Sequence, residues 1–223
     1  MTTTGFPGTP KTLRGGLVRI DPNARTLLDV VVFQYNPDTL TRTLQPRAIG
    51  GEPGDRLEVL RFIGPPHETI KFDAEIDATD QLENPADSAN QPVVTYGLLP
   101  ALAVLERLVT PSVAELLATD ALFDSGTLEV SPMEAPLVLL VWGVKRVVPV
   151  LVSNLSFTEE AFDTKLRPIR VKASIECKVL TSSDLPLQHV GGNLYIAYRQ
   201  AVEQLAAMVT SSDVRPLGLE HLP

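Results

Sequence analysis

The chain is poor in the residues that most often carry redox, metal and stacking chemistry: 223 residues include one cysteine, three histidines and one tryptophan. A single cysteine rules out an internal disulfide. Cys177 lies in the alternating stretch VKASIECKVL, where the small thiol reads as a buried hydrophobe. His67, His189 and His221 are scattered through GPPHET, LPLQHVGG and LEHLP without the spacing that metal ligands need. Aromatics make up 5% of the chain, too few to line a concave stacking face. Long apolar runs are also missing. The longest, APLVLLVWGV, is about half a membrane span.

The charge balance is acidic, with a formal net charge of −8. Nucleic acid and anionic membranes demand a basic footprint, so neither is expected as the main partner. The first residues, MTTTGFPGTPKTLRGG, lack the apolar core of a secretory signal, and a cytoplasmic protein is expected. Catalytic signatures are absent too: there is no P-loop, no GxGxxG and no GxSxG elbow. Acid pairs such as Glu159–Glu160 and Asp73/Glu75 read as solvated faces. The chain is expected not to be an enzyme and to need no cofactor or metal.

What is present is β-rich. Residues 1–13 read as a loose arm. Leu17, Val18 and Ile20 form one strand, Asp21-Pro22-Asn23-Ala24 a turn, and Leu27 to Tyr35 the return strand, which Asn36-Pro37 ends because proline lacks a ladder donor. PRAIGGEPGD reads as a loop, with a strand expected from Leu57 to Ile63. ETIKFDAEID alternates Ile70, Phe72, Ala74 and Ile76 against charged residues, the period of a strand with one wet face. ATDQLENPADSANQPV reads as a long surface loop. Leu98, Leu102, Leu105 and Leu108 or Val109 then recur at helical spacing, and Ser112 caps a second short helix.

Three strand-like segments follow: PLVLLVWGV, RVVPVLVSNLSFTEEAF and RPIRVKASIECKVLTSS. Pro149 should demote part of the second to an edge or a bulge. A helix from Gly192 to Val209 should bury Leu194, Tyr198, Ala201, Leu205 and Met208. The fold class is therefore mainly β with flanking helices (α+β): an antiparallel sandwich or barrel over 14–182 with a helical insertion at about 95–122, then a C-terminal helix and tail over 183–223. Trp142 reads as a core residue at a strand end. Arg170 and Lys172 share a strand face suited to an acidic partner or simply to water.

Several pieces of this pattern carry a resemblance. VVFQYNPDTL resembles the F-x-F/Y-N-P-x-x-L signature of the tube-type baseplate proteins of contractile injection systems, the phage-tail-like particles. FIGPPHETIKFDAEIDATD and the long β-region from PLVLLVWGV to CKVL follow in the family's order. Phe33, Tyr35, Asn36, Pro37, Trp142, Gly143, Phe162, Arg167, Pro168 and Arg170 occupy motif positions and are the candidate interface residues. Phe157 does so as well. The likeness spans roughly residues 15 to 182. It departs at TKLRP, where members often have a glycine before the proline, and in lacking the LysM module that many carry.

The resemblance implies a tail-tube-like fold in a homo-hexameric ring. Such a ring joins the central spike or hub to the inner tube and initiates tube assembly beside other baseplate proteins. It also implies assembly in the cytoplasm, no direct membrane insertion and a mechanism of shape rather than catalysis. Residues 38–63 are expected to form an extended hairpin or loop that docks on a neighbour. An inner-tube or cap subunit of the same machine is the nearest alternative, and a stand-alone β-sandwich ligand-binding module is the rival from another class.

Overall fold

A computed structural model describes residues 13–21, 26–48, 61–124 and 136–209. Among these residues, seven strands form one antiparallel sheet: β1 (Gly16–Ile20), β2 (Leu27–Val32), β3 (Leu40–Gln45), β4 (His67–Asp77), β5 (Leu137–Val141), β6 (Val147–Phe162) and β7 (Pro168–Val179). Their order is β2-β1-β5-β6-β7-β4-β3. Five helices flank the sheet: α1 (Thr79–Glu83), α2 (Gln91–Tyr96), α3 (Leu99–Glu106), α4 (Val113–Asp124) and α5 (Val190–Ala207). The mainly β, helix-flanked class is as expected. The antiparallel sheet does not close into a barrel: its ladder stays open between β2 and β3 among the described residues.

Alternation builds the inner face. Ile70, Phe72 and Ala74 of β4, Ala173, Ile175, Cys177 and Val179 of β7, and Val148, Val150 and Val152 of β6 are all buried. Leu17 and Leu140 continue this core on β1 and β5, and Tyr195 and Tyr198 of α5 close over it. Leu102 belongs to a smaller cluster with Ala78, Leu98 and Val171, whereas Leu105 and Leu108 join the main core. The leucine stripe read at helical spacing is thus the buried side of α3 and its flanks. Ser112 caps α4 as expected: its hydroxyl accepts from the Glu115 N–H at 3.2 Å while the Glu115 carboxylate accepts from the Ser112 N–H at 2.7 Å.

Four expectations need correction. Pro149 is at neither an edge nor a bulge. It is buried in β6, between β5 and β7, and its carbonyl accepts from the Leu180 N–H at 2.9 Å. The β6–β7 register begins at Val150↔Val179, so the missing donor falls on the terminal rung, where it costs least. The bulge comes later, between Val152 and Asn154.

The segment 78–93 is not a loop: it contains α1, a short 3-10 turn at Ser88–Asn90 and the start of α2. Its Asp87 side chain caps that turn through the Ala89 N–H. Within residues 38–63, expected as an extended hairpin or loop, Leu40–Gln45 is strand β3, paired to β4 from Leu40↔Phe72 to Gln45↔His67. Of the strand expected at 57–63, residues 57–60 lie outside the described residues, and Phe62 makes only an isolated bridge to Ala48.

The fourth correction is the buried stripe of α5. It runs through Tyr195, Tyr198 and Val202, while Leu205 and Met208 are exposed. His189, read as a loop residue, caps this helix: its Nδ1 accepts from the Gly191 N–H at 3.1 Å. His67 opens β4, and His221 and the arm 1–12 lie outside the described residues.

Candidate functional site

The motif residues turn out to be the fasteners of this sheet. Past β2, the Phe33 N–H donates to the Gly15 carbonyl at 3.0 Å. Asn36 then prolongs the pairing with its side chain: Oδ1 accepts from the Gly15 N–H and Nδ2 donates to the Leu13 carbonyl, both at 2.8 Å. The chain can then leave the ladder at Pro37 without stranding the start of β1. Gln34 does the same job on the other side. Its amide donates to the Asp77 carbonyl at 2.8 Å and accepts from the Asp77 N–H at 2.9 Å.

Phe33 is 4% exposed and packs edge-on to Phe72, with ring centroids 5.3 Å apart. Trp142 completes an aromatic trio, 6.2 Å from Phe33 and 5.9 Å from Phe72. The tryptophan is thus a half-buried core residue at a strand end. Gly143 follows it at φ +85, in a turn closed by the Trp142 N–H on the Arg146 carbonyl at 2.8 Å. That conformation favours glycine.

At the β6–β7 turn, Arg167 pairs with Asp163 and caps the C-terminus of α2, donating to the carbonyls of Val94, at 2.9 Å, and Thr95. Pro168 is buried, and its carbonyl accepts from the Leu98 N–H at 2.8 Å. Gly97, at φ +63, permits this approach, since a Cβ there would stand 2.6 Å from the Pro168 oxygen. Arg167 holds the part-buried Asp163 carboxyl down to about 2. Among the motif positions, Tyr35 and Phe162 present large apolar surface, at about half exposure each.

The outer face of β4, β7 and β6 forms a second feature. The register places Lys71 beside Glu176, Asp73 beside Ser174, Glu75 beside Lys172 and Asp77 beside Arg170, with Ser156 and Thr158 of β6 on the far side of Ser174 and Lys172. The charges compensate each other: Lys71–Glu176 at 2.9 Å, Lys172–Asp73 at 2.9 Å and Arg170–Asp77 at 2.8 Å. Lys172 and then Ser174 lower the Asp73 carboxyl through hydrogen bonds. Asp77 is lowered by its Thr79 hydroxyl bond first and by Arg170 after it. Arg170 and Lys172 thus share the wet face expected of them, each paired with a β4 carboxylate. The face is wet, and its salt bridges join neighbouring strands.

Apolar surface is concentrated elsewhere. Beside the β3 edge, Leu44 is 42% exposed, Phe62 72% and Ile63 60%. The Ala48–Phe62 bridge and the bond from the Ile63 N–H to the Arg47 carbonyl, 2.8 Å, hold residues 47–48 against 62–63. In α4, Val113, Leu116, Leu117 and Leu122 are exposed as well.

Two linking residues were missed in the sequence. Glu68 is buried, paired with Arg42 and 3.2 Å from the Tyr198 hydroxyl; it ties β3 and β4 to α5. Its signal was available, because Glu68 shares the inward phase of Ile70 and Phe72. A lone Gln34 gave no such signal. No protein-family model matches the chain, and no curated protein matches it.

Proposed function

We propose that this protein is a structural baseplate subunit of a contractile injection system. It would form a hexameric adaptor ring that joins the spike to the inner tube and starts tube assembly, and it would assemble in the cytoplasm. Among the described residues no helix is long and apolar enough to cross a membrane.

The observation that carries this reading is the pairing of two surfaces on one sheet. The outer face of β4, β7 and β6 is polar and charge-compensated, as a water-filled channel wall requires. At its margin the β3 edge is unpaired in the described sheet and flanked by exposed Leu44, Phe62 and Ile63. An exposed edge beside apolar side chains is a pairing surface, and a heterologous contact closes into a ring when its rotation fits. The motif residues support the same reading differently: Asn36, Trp142-Gly143 and Arg167-Pro168 each perform a fold-defining job.

The test is deletion of residues 46–55. The expected result is a folded monomer, with unchanged circular dichroism, that no longer enters particles. Normal assembly of the deletion variant contradicts the proposal.

A further inference from the structure

Leu166 is the one non-glycine residue with a positive φ, +60, among the described residues. The left-handed region crowds a side chain, so a leucine holds it only where its surroundings impose it. Here the turn imposes it. The Asp163 carboxylate accepts from the Lys165 and Arg167 N–H groups at 2.7 and 3.0 Å, and the Leu166 N–H donates to the Asp163 carbonyl at 3.1 Å. Arg167 then fastens the turn to α2. The leucine side chain gains little from this, being 82% exposed. A glycine would relax the backbone and give up little contact.

Strain kept at an exposed apolar residue on a rigid turn fits a side chain that is used outside its own chain. Two more large apolar residues stand at the same turn. Phe162, 48% exposed, ends β6, and Tyr96, 58% exposed, adjoins the Thr95 carbonyl that Arg167 holds. Anchors already fixed in place lose little freedom when a partner arrives.

The same chain carries a matching hole. Val30 and Val32 of β2, Ile76 of β4, and Ala101, Val104 and Leu105 of α3 line an apolar groove of about 230 Å³. That is below the roughly 300–1,000 Å³ of small-molecule sites. It suits one large side chain: an apolar cavity of roughly 150 Å³ already admits benzene, which is bulkier than the isobutyl group of leucine. Glu75 is the one charged residue of the lining. Its β7 neighbour Lys172 pairs with Asp73 at 2.9 Å. Lys165, exposed beside Leu166, has the sign that complements Glu75.

We propose that the β6–β7 turn docks on a second copy of this chain, with Leu166 seated in the groove between β2, β4 and α3 and Lys165 beside Glu75. The contact joins two different surfaces, and so is heterologous. It shares with the ring reading only its partner, a second copy, and involves neither the β3 edge nor residues 46–55.

The test is sedimentation and concentration-dependent amide NMR on the full chain. The unaltered protein should self-associate, with shifts at Val30, Val32 and Val104 as well as at Leu166. Leu166→Gly removes the knob, and Ala101→Trp, at an exposed position on the groove wall, fills the hole. Each should weaken self-association about tenfold or more, the worth of burying one leucine side chain, with unchanged circular dichroism. Mixed, the two variants should associate again as a pair, because the Leu166→Gly chain keeps its groove and the Ala101→Trp chain keeps its leucine. Three results overturn the proposal. One is a protein that stays monomeric, without concentration-dependent shifts, at millimolar concentration. Another is self-association that Leu166→Gly leaves unchanged, which strikes this contact alone and leaves the ring reading standing. The third is weakening by both variants with no recovery on mixing.

Discussion

The side-chain amide of Gln34 pairs with both backbone groups of Asp77, 43 positions away in sequence, and so substitutes for a rung of sheet where the ladder is open. Replacing Gln34 with alanine strands a part-buried N–H and carbonyl together. The expected loss is about 1–3 kcal/mol, measured by urea unfolding. Gln34→Glu should cost a similar amount, because it keeps the acceptor but sets a carboxylate oxygen against the Asp77 carbonyl.

Glu68 is held by Arg42 and Tyr198 in the gap between β4 and α5. The hydrogen bond to Glu68 raises the Arg42 guanidinium, and burial, followed by Glu68, raises the Tyr198 phenol. Arg42→Met should leave a buried carboxylate without its cation. Because Arg42 is itself partly exposed, the expected loss is about 2–3 kcal/mol, below the full cost of breaking a buried pair. Thermal unfolding checks the loss. The Tyr198 phenol should titrate above the ordinary tyrosine range in an ultraviolet pH titration.

Asp163 and Arg167 fasten the β6–β7 turn to α2. The folded carboxyl is depressed to about 2, so its stabilising contribution is complete above the ordinary carboxylate range and is lost as pH falls toward 2. Carboxyl NMR should locate the Asp163 midpoint near 2 and show it rising to an ordinary value in Arg167→Ala. The same variant should speed hydrogen exchange at Gly97 and Leu98, whose amides rely on the docked helix.

Leu166 adopts φ +60 with 82% of its surface exposed. It stands two residues before Pro168, at the place where the resembled family often has glycine. The left-handed conformation costs a leucine about 1–2 kcal/mol, part of which glycine gives back through its greater unfolded-state entropy. Leu166→Gly should therefore stabilise the protein by about 0.5–1 kcal/mol, read as a shifted urea midpoint.

Burial pushes the Cys177 thiol up to about 12. The native protein should not react with a thiol reagent at pH 8, and labelling should become fast only in denaturant. Fast native labelling would contradict the inward placement of β7.

Much of this fold was legible because its strands are strongly periodic. The Ile70-Phe72-Ala74 alternation and the Leu98-Leu102-Leu105-Leu108 stripe each assign a face without outside help. The one-turn helices of 79–96 were not legible. Their Pro, Asn and Asp content reads as loop, and a distant residue, Arg167, supplies the cap of α2. Pro149 misled for a similar reason: its position on the terminal rung depends on where β7 ends, which local sequence does not encode. Most of the motif positions act inside the fold as fasteners, a role that the residue pattern alone does not distinguish from an interface role.

The most direct measurement of the central claim is an affinity pull-down of a tagged copy from the native cell, viewed by negative-stain electron microscopy. A baseplate subunit predicts rod-shaped particles with the tag at one end and sheath and spike proteins in the eluate. Tag along the whole rod would contradict the baseplate position. A monomer without rods or partners, while neighbouring genes are expressed, would contradict the machine altogether.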